Sequence, residues 1–188
     1  MKNLSLTLIF SFIGITAAFS QNPSFGVTAG YLNVSGKIEY LDQEVDETKK
    51  SGGFAGIELE WVLSEKFHFQ PELLYARNED YGLLMLPLVI KYYPIAKFNI
   101  QAGPQFDYST DPYPIGEFLG QAEEFGFDVN EDDFTRFGVS LAVGLGYDFS
   151  EHWFFDSRYT FQINDVYTGE YEISIKGHIF NAGVGYRF

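Results

Sequence analysis

Segment after segment of this chain places a bulky apolar side chain at every second position, and a period of two is the period of a pleated strand with unlike faces. Residues 137–149 are the clearest case: Phe137, Val139, Leu141, Val143, Leu145, Tyr147 and Phe149 alternate with Gly138, Ser140, Ala142, Gly144, Gly146 and Asp148. The pattern returns in 25–34, 54–63, 67–76, 84–93, 98–108, 153–163 and 180–188. Helices are disfavoured throughout, because Gly, β-branched and aromatic residues recur where a helix would want Ala, Leu, Glu or Lys.

Alternation alone suits a soluble sandwich as well as a membrane barrel, since both bury one face of each strand. The connections separate the two. Turns at 64–66, 94–97 and 150–152 are tight, whereas the links 35–53, 109–136 and 164–174 are long and polar, with only 77–83 short on that side. Aromatic residues cluster at the two ends of the segments. Toward the short turns stand Phe25, Trp61, Phe67, Phe69, Tyr92, Phe98, Tyr147, Phe149, Trp153, Phe155, Tyr186 and Phe188; toward the long links stand Phe54, Tyr75, Phe106, Tyr108, Phe137, Tyr159 and Phe161. Val27, Leu59, Leu88, Ile100, Leu141, Val143 and Val184 fill the middle. Two aromatic girdles around an aliphatic band are what lipid selects. The pattern therefore predicts an all-β, eight-stranded antiparallel up-and-down transmembrane β-barrel, with short periplasmic turns and longer extracellular loops.

The start of the chain carries an address. Met1-Lys2-Asn3 is a short positive opening, an apolar stretch runs from Leu4 to Ile15, and small residues at Ala18 and Ser20 fit a signal-peptidase site. The expected division is a secretory signal peptide over 1–20 and an outer-membrane barrel over 21–188. No later apolar run has the roughly 20 residues that a spanning helix needs; the best, 83–90, contains Pro87. The expected location is the outer membrane of a Gram-negative envelope.

Charge removes further classes. Lys plus Arg number 12 against 26 Asp plus Glu, a formal net charge of −14, which argues against nucleic acid as a partner. With no cysteine there is no disulfide framework, thiolate metal site or Cys nucleophile.

Several segments resemble the PorT-like outer-membrane β-barrel family: Phe25-Gly26-Val27-Thr28-Ala29-Gly30, Gln70-Pro71-Glu72-Leu73-Leu74-Tyr75, Leu86-Pro87-Leu88-Val89-Ile90-Lys91-Tyr92-Tyr93, Ala102-Gly103-Pro104-Gln105-Phe106 and Gly183-Val184-Gly185-Tyr186-Arg187-Phe188. The resemblance covers nearly all of 21–188. It implies the barrel fold and the outer-membrane location, and it supplies no catalytic residue. Tyr186 and Phe188 resemble the terminal signal read by the barrel-assembly machinery, which makes that machinery an expected partner during insertion.

If the bulky rows face lipid, the other rows face a lumen. Glu58, Glu60, His68, Glu72, Lys91, Asp107, Asp148, Asp156, Arg158 and Arg187 are then an internal polar network, joined by Gln70, Gln101, Gln105, Gln162 and Asn181. Trp61, Phe67, Tyr92, Tyr147, Trp153, Tyr186 and Phe188 form the lipid-facing girdle. An eight-stranded barrel is only wide enough for its interior to be filled, so an open pore is not expected.

No Gly-x-Ser-x-Gly, His-Glu-x-x-His or phosphate-binding glycine loop is present, and no enzyme or cofactor is expected. Ser174 and His178 share a strand face, but four residues of strand span about 13 Å, too far for a dyad. Asp128-x-Asn130-x-Asp132 opens like a calcium loop, yet Asp133 replaces the required Gly and Val139 stands where the bidentate Glu belongs. No built metal site is expected; Asp128, Asn130 and Asp132 retain only loose divalent-ion binding in an acidic link. That link also interleaves Phe118, Phe125, Phe127 and Phe134 among its acids, which suits a cap or a protein-contact surface. Lys49, Lys50, Arg77 and Arg136 read first as ordinary solvated charges, and alternatively as the cations that meet lipopolysaccharide phosphates. The expected function is non-enzymatic, structural or interactive, through extracellular loops above a filled polar lumen. The alternative is transport of a small apolar or ionic solute through the lumen or a lateral opening.

Overall fold

The computed structural model describes residues 23–40, 43–78, 80–111, 130, 133–171 and 173–188. Eight strands follow one another: β1 (Ser24–Tyr40), β2 (Gln43–Val62), β3 (Phe67–Asn78), β4 (Gly82–Ile95), β5 (Phe98–Ser109), β6 (Phe137–Asp148), β7 (Trp153–Gln162) and β8 (Ile173–Arg187). Each pairs antiparallel with the next, and β8 returns to β1 from Gly26↔Arg187 to Tyr40↔Ile173, closing an up-and-down barrel. Closure pairs the backbone groups that an open sheet would leave at its edges, a requirement in hydrocarbon where no water can satisfy them.

The strand faces follow the period of two. Leu141, Val143, Leu145 and Tyr147 point outward and are 37–51% exposed, while Ser140 and Ala142 between them are at most 2% exposed. Phe25, Val27, Ile57, Leu73, Leu86, Ile90, Ile100, Tyr159 and Val184 are likewise exposed on the exterior. Tight turns close the short end, where the Ser64 and Ser150 hydroxyls accept from the amides of Phe67 and Trp153 at 3.2 and 3.0 Å.

The barrel departs from the sequence expectation in three places. Residues 35–53 are not a polar link: β1 and β2 continue as paired strands to Tyr40↔Gln43, well beyond the last β2–β3 pair, Gly52↔Asn78. Polar residues here hid the strands, because period-two contrast fades once neither face meets lipid. The 164–174 link is shortened in the same way, since β8 begins at Ile173 and Ser174 lies within it. Phe54 does not belong to the girdle; it lies on the row of Gly56, Glu58 and Glu60 and is buried inside.

The interior has two storeys. Toward the long-loop end, Leu32, Phe54, Leu74, Ala76, Leu83, Met85 and Ile179 form an apolar cluster against the walls of β1–β4 and β8, with Val34 packed on it. Toward the short-turn end the filling is ionic. The expected polar lumen is therefore only part of the interior. Two inward phenylalanines are accommodated by glycines of β8: a Cβ at Gly183 would stand 2.7 Å from Phe54 Cζ, and one at Gly185 2.0 Å from Phe154 Cζ.

Candidate functional site

The ionic storey is assembled from inward rows of seven strands, with Asp148 of β6 at its lower edge. Glu58 and Glu60 come from β2, His68, Gln70 and Glu72 from β3, Lys91 from β4, Gln101 from β5, Asp156 and Arg158 from β7, and Arg187 from β8. Arg187 is the hub of its lower edge. Its Nε donates to Glu58 Oε1 at 3.2 Å, Nη1 to Asp148 Oδ1 at 3.1 Å, and Nη2 lies 2.9 Å from Glu60 Oε2.

One level up, Lys91, fully buried, sits 3.2 Å from Asp156 Oδ2 and 3.8 Å from Glu60 Oε2. Arg158 Nη2 donates to Glu72 Oε1 at 2.5 Å and lies 3.6 Å from Asp156. Amides stitch the carboxylates together. Gln70 Nε2 donates to Glu58 at 3.0 Å and Glu72 at 2.5 Å, and Gln101 Nε2 donates to Asp156 at 2.9 Å. His68 Nδ1 bonds Glu60, and its ring lies 4.6 Å from that of Tyr93. Such pairing is what buried charge demands, since an isolated ion in this setting is strongly disfavoured.

Phe154 is the member that the charged pattern does not advertise. It is 1% exposed, with Arg187 Cζ 4.3 Å and Lys91 Nζ 5.2 Å from its ring centre. Trp153 and Phe155 flank it on the outward row, so a run of three aromatics masks the alternation; its parity with Asp156 is the signal that places it inside.

Asp107 stands apart from the cations. Gln105 Nε2 donates to it at 2.7 Å and Ser140 Oγ at 2.9 Å. The ten charged and titratable residues expected inside all lie on inward rows, and nine of them join through the hub of Arg187, Lys91 and Arg158. Of the expected girdle, Phe67, Tyr92, Tyr147, Trp153 and Phe188 are exposed, and Trp61 and Tyr186 are half-buried among neighbouring rings.

Glu58, Glu72 and Asp156 each offer a carboxylate oxygen within 4.8 Å of the others, a grouping that could hold a cation. Each already faces a cation, Arg187, Arg158 and Lys91 respectively, which stands where a metal ion would have to bind. Asp128 and Asp132 lie outside the described residues; the Asn130 amide donates to Asp133 Oδ2 at 2.9 Å. Ser174 and His178 are not brought together: the Ser174 hydroxyl donates to Asp165 at 2.6 Å, and His178 packs between Tyr159 and Phe161.

Above the barrel, the described parts of the two long links are tied to each other. Phe134 and Tyr167 form a β-bridge, the Thr135 amide donates to Val166 O at 2.8 Å, and the Thr168 amide donates to Asp133 O at 2.7 Å. Asp111 anchors the start of the 109–136 link, accepting from the Gly82 amide at 2.8 Å and Arg77 Nη1 at 3.1 Å. The Gly82 amide, with Arg77 beside it, holds the Asp111 carboxyl below its ordinary range.

A closed barrel with rings and aliphatics on its exterior and paired ions within is a membrane-embedded β-barrel, stable only where hydrocarbon meets the bulky rows. Residues 5–188 match the family described as the outer membrane protein beta-barrel domain, and the chain belongs to that family, which implies an outer-membrane location. Similar crystal structures include OprG from Pseudomonas aeruginosa, with 16% identity, a TM-score of 0.43 and coverage of 89% of this chain and 97% of that one. They also include Ail, the attachment invasion locus protein of Yersinia pestis, with 13% identity, a TM-score of 0.48 and coverage of 89% and 100%. Neisserial surface protein A is similar at 14% identity, with a TM-score of 0.46 and coverage of 87% and 97%. No curated protein matches the sequence.

Proposed function

We propose that this chain is a non-enzymatic structural or interaction protein of the Gram-negative outer membrane, acting through its long-loop end and its lipid-facing surface rather than through its lumen. The observation that carries this reading is the filled interior. Leu32, Gln70, Leu74, Met85, Lys91 and Phe154, from four different strands, are each at most 1% exposed, so both storeys are packed. In this reading 1–20 is a signal peptide cleaved after Ser20, the short turns face the periplasm, and the assembly machinery inserts the barrel. Outer-leaflet lipid and lipopolysaccharide surround it, and the tied links around Phe134 and Tyr167 offer a protein partner a fixed platform.

In this reading the chain groups with the PorT-like barrels, on the resemblance of segments that also supply Gln70, Glu72, Lys91 and Arg187 to the ionic storey. Recordings of the refolded chain in planar bilayers test the reading: no stable unitary conductance is expected. A steady conductance that Glu58→Gln or Arg158→Gln abolishes establishes transport instead. That second reading draws on Arg158 Nε and Nη1, Gln70 Oε1 and Glu72 Oε2, buried atoms without protein partners that could form a hydrogen-bonded ion route.

A further inference from the structure

Prolines stand inside three adjacent strands of this barrel, Pro71 in β3, Pro87 in β4 and Pro104 in β5. Proline has no amide hydrogen, so within a sheet it belongs at an edge or a bulge, and a closed barrel has no edge. Each of the three is paired on one side only. Pro71 pairs with Leu88 of β4, Pro87 with Gln105 of β5 and Pro104 with Leu141 of β6, always in the strand that follows. Toward the strand that precedes, the ladder is broken. β2 and β3 pair at Glu58↔Glu72 and next at Trp61↔Phe69, β3 and β4 at Pro71↔Leu88 and next at Leu74↔Met85, and β4 and β5 at Pro87↔Gln105 and next at Ile90↔Ala102. The skipped rows include those where Leu59, Glu72 and Leu88 would face Pro71, Pro87 and Pro104.

The other seams skip no row at this depth. β5 and β6 pair without a break from Phe98↔Tyr147 to Tyr108↔Phe137, β6 and β7 from Ser140↔Gln162 to Asp148↔Phe154, and β7 and β8 from Trp153↔Tyr186 to Phe161↔His178. β8 and β1 do so from Gly26↔Arg187 to Tyr40↔Ile173, and β1 and β2 from Ser24↔Glu60 to Ile38↔Asp46. The three broken seams are neighbours, so β3 and β4 each lack rungs on both sides. Side chains do not staple them. Among the described residues no side-chain hydrogen bond or ion pair joins β3 to β4, and Lys91 of β4 reaches across the lumen to Asp156 of β7 instead. The inner face of this wall is polar: Gln70 Oε1 and Glu72 Oε2 of β3 and Gln101 Oε1 of β5 are buried without a hydrogen-bond partner, as are Nε and Nη1 of Arg158. Irregular backbone at membrane depth is tolerated where such groups, and water held by them, can meet the freed amides and carbonyls.

We propose that the wall formed by β2, β3, β4 and β5 is where the closed barrel opens: it yields at the three proline gaps while the rest of the ring stays paired. The opening is local, because the ladder is intact on either side of each gap. Between β3 and β4, four pairs from Leu74↔Met85 to Arg77↔Gly82 hold the long-loop end and five from Phe67↔Tyr92 to Pro71↔Leu88 hold the short-turn end. The barrel is then a ring with one compliant panel. This conformational property goes beyond the filled interior and is independent of which end faces outward and of whether the lumen conducts.

The test is residue-resolved amide hydrogen exchange of the refolded full chain in micelles, read by NMR and corrected for intrinsic rates. The amides of Leu59, Glu72 and Leu88, which face the prolines, are compared with those of Val143, Tyr159 and Val184 in unbroken seams. A lost rung is worth roughly a decade or less in local opening. Leu59 should therefore exchange about tenfold faster than the reference amides, and Glu72 and Leu88, interrupted on both sides, up to about a hundredfold faster. Low urea should leave these fast rates unchanged, the mark of an opening that exposes little surface. Pro104→Val returns an amide hydrogen on the outward row, and should slow Leu88 about tenfold without altering Val184. Unaltered heat-modifiable migration shows that the variant still closes; should it not close, the parent's exchange pattern decides alone. The proposal is overturned if Leu59, Glu72 and Leu88 exchange no faster than the reference amides, if their rates rise with urea in step with global unfolding, or if a closed Pro104→Val barrel leaves Leu88 unchanged.

Discussion

Replacing Arg187 by Met should unlock the barrel more than any other single interior change. Its guanidinium meets carboxylates from two strands, Glu58 and Glu60 on β2 and Asp148 on β6, at 2.9–3.2 Å. Removing one partner of a buried ion pair is worth about 3–5 kcal/mol, because the remaining charge is left unmatched. Some relief is available here. Glu60 keeps His68 and Lys91, Glu58 keeps the Gln70 amide, and Asp148 is 17% exposed. Those partners favour the lower end, about 3 kcal/mol, to which loss of the contact with Phe154 adds about 0.5–1 kcal/mol. Urea unfolding from phospholipid vesicles reads the change through Trp61 and Trp153, both on outward rows at the short-turn end. The same substitution in a Glu58→Gln background should lose at least about 1 kcal/mol less, since one orphaned charge is gone. An unchanged unfolding midpoint, or an equal loss in both backgrounds, refutes the clasp.

Leu141→Arg or Val143→Arg puts a guanidinium on the outward row of β6 near the middle of the aliphatic band, and should cost about 2–4 kcal/mol in bilayers. Vesicle refolding equilibria measure it, and equal stability would mean that this row does not face lipid. Gly185→Ala would place a Cβ 2.0 Å from Phe154 Cζ, whose ring is held by Arg187 and Lys91. Overpacking of this kind is worth about 1–3 kcal/mol, read as a lower thermal midpoint than that of Gly53→Ala, where the nearest atom to an added Cβ is 3.5 Å away. Asp111 tests pH dependence outside the membrane. Its carboxyl is held below its ordinary range by the Gly82 amide and Arg77, so the anchor is fully present above pH about 4 and is lost as pH falls through the lowered value. Exchange of the Gly82 amide should therefore quicken on acidification in the parent, and should be fast and nearly pH-insensitive, after correction for intrinsic rates, in Asp111→Asn.

The fold class was legible because lipid imposes the same period on every spanning segment. Residues 137–149 show it without interruption, and β6 runs over Phe137–Asp148. The reading failed where that selective pressure stops. Beyond Val34 and before Gly53 no hydrocarbon distinguishes the two faces, and polar side chains made paired strands look like a link. Parity placed the charged rows, but composition pulled Phe54 to the wrong face and hid Phe154 between two outward aromatics. The apolar storey could not be read at all from hydrophobicity. Leu74 inside and Leu73 outside are the same residue type on opposite faces, and only the barrel's geometry separates them.

That last ambiguity bears on why the interior is ionic. In a soluble sheet, a one-residue slip carries the apolar row into water and is resisted for that reason. In lipid, an apolar inner row can move to the outside without loss, so Leu74, Met85 and Ile179 specify nothing about register. Only the rows of Glu58, Glu72, Lys91 and Arg158 do, because a slip would turn them into hydrocarbon. Exposing such a charge at the bilayer midplane costs about 2–4 kcal/mol for Lys or Arg. The ion pairs should then matter more for reaching the native pairing than for holding it. Arg158→Met combined with Glu72→Met removes one pair cleanly, leaving Asp156 with Lys91 and Gln101. Buried pairs replaced by apolar residues of similar size often leave stability unchanged or raised. The unfolding midpoint of the correctly closed double variant should therefore be close to that of the parent, while the fraction reaching the heat-modifiable closed form on refolding into vesicles falls severalfold. A double variant that closes with the parent's yield would show that the polar row does not set the register.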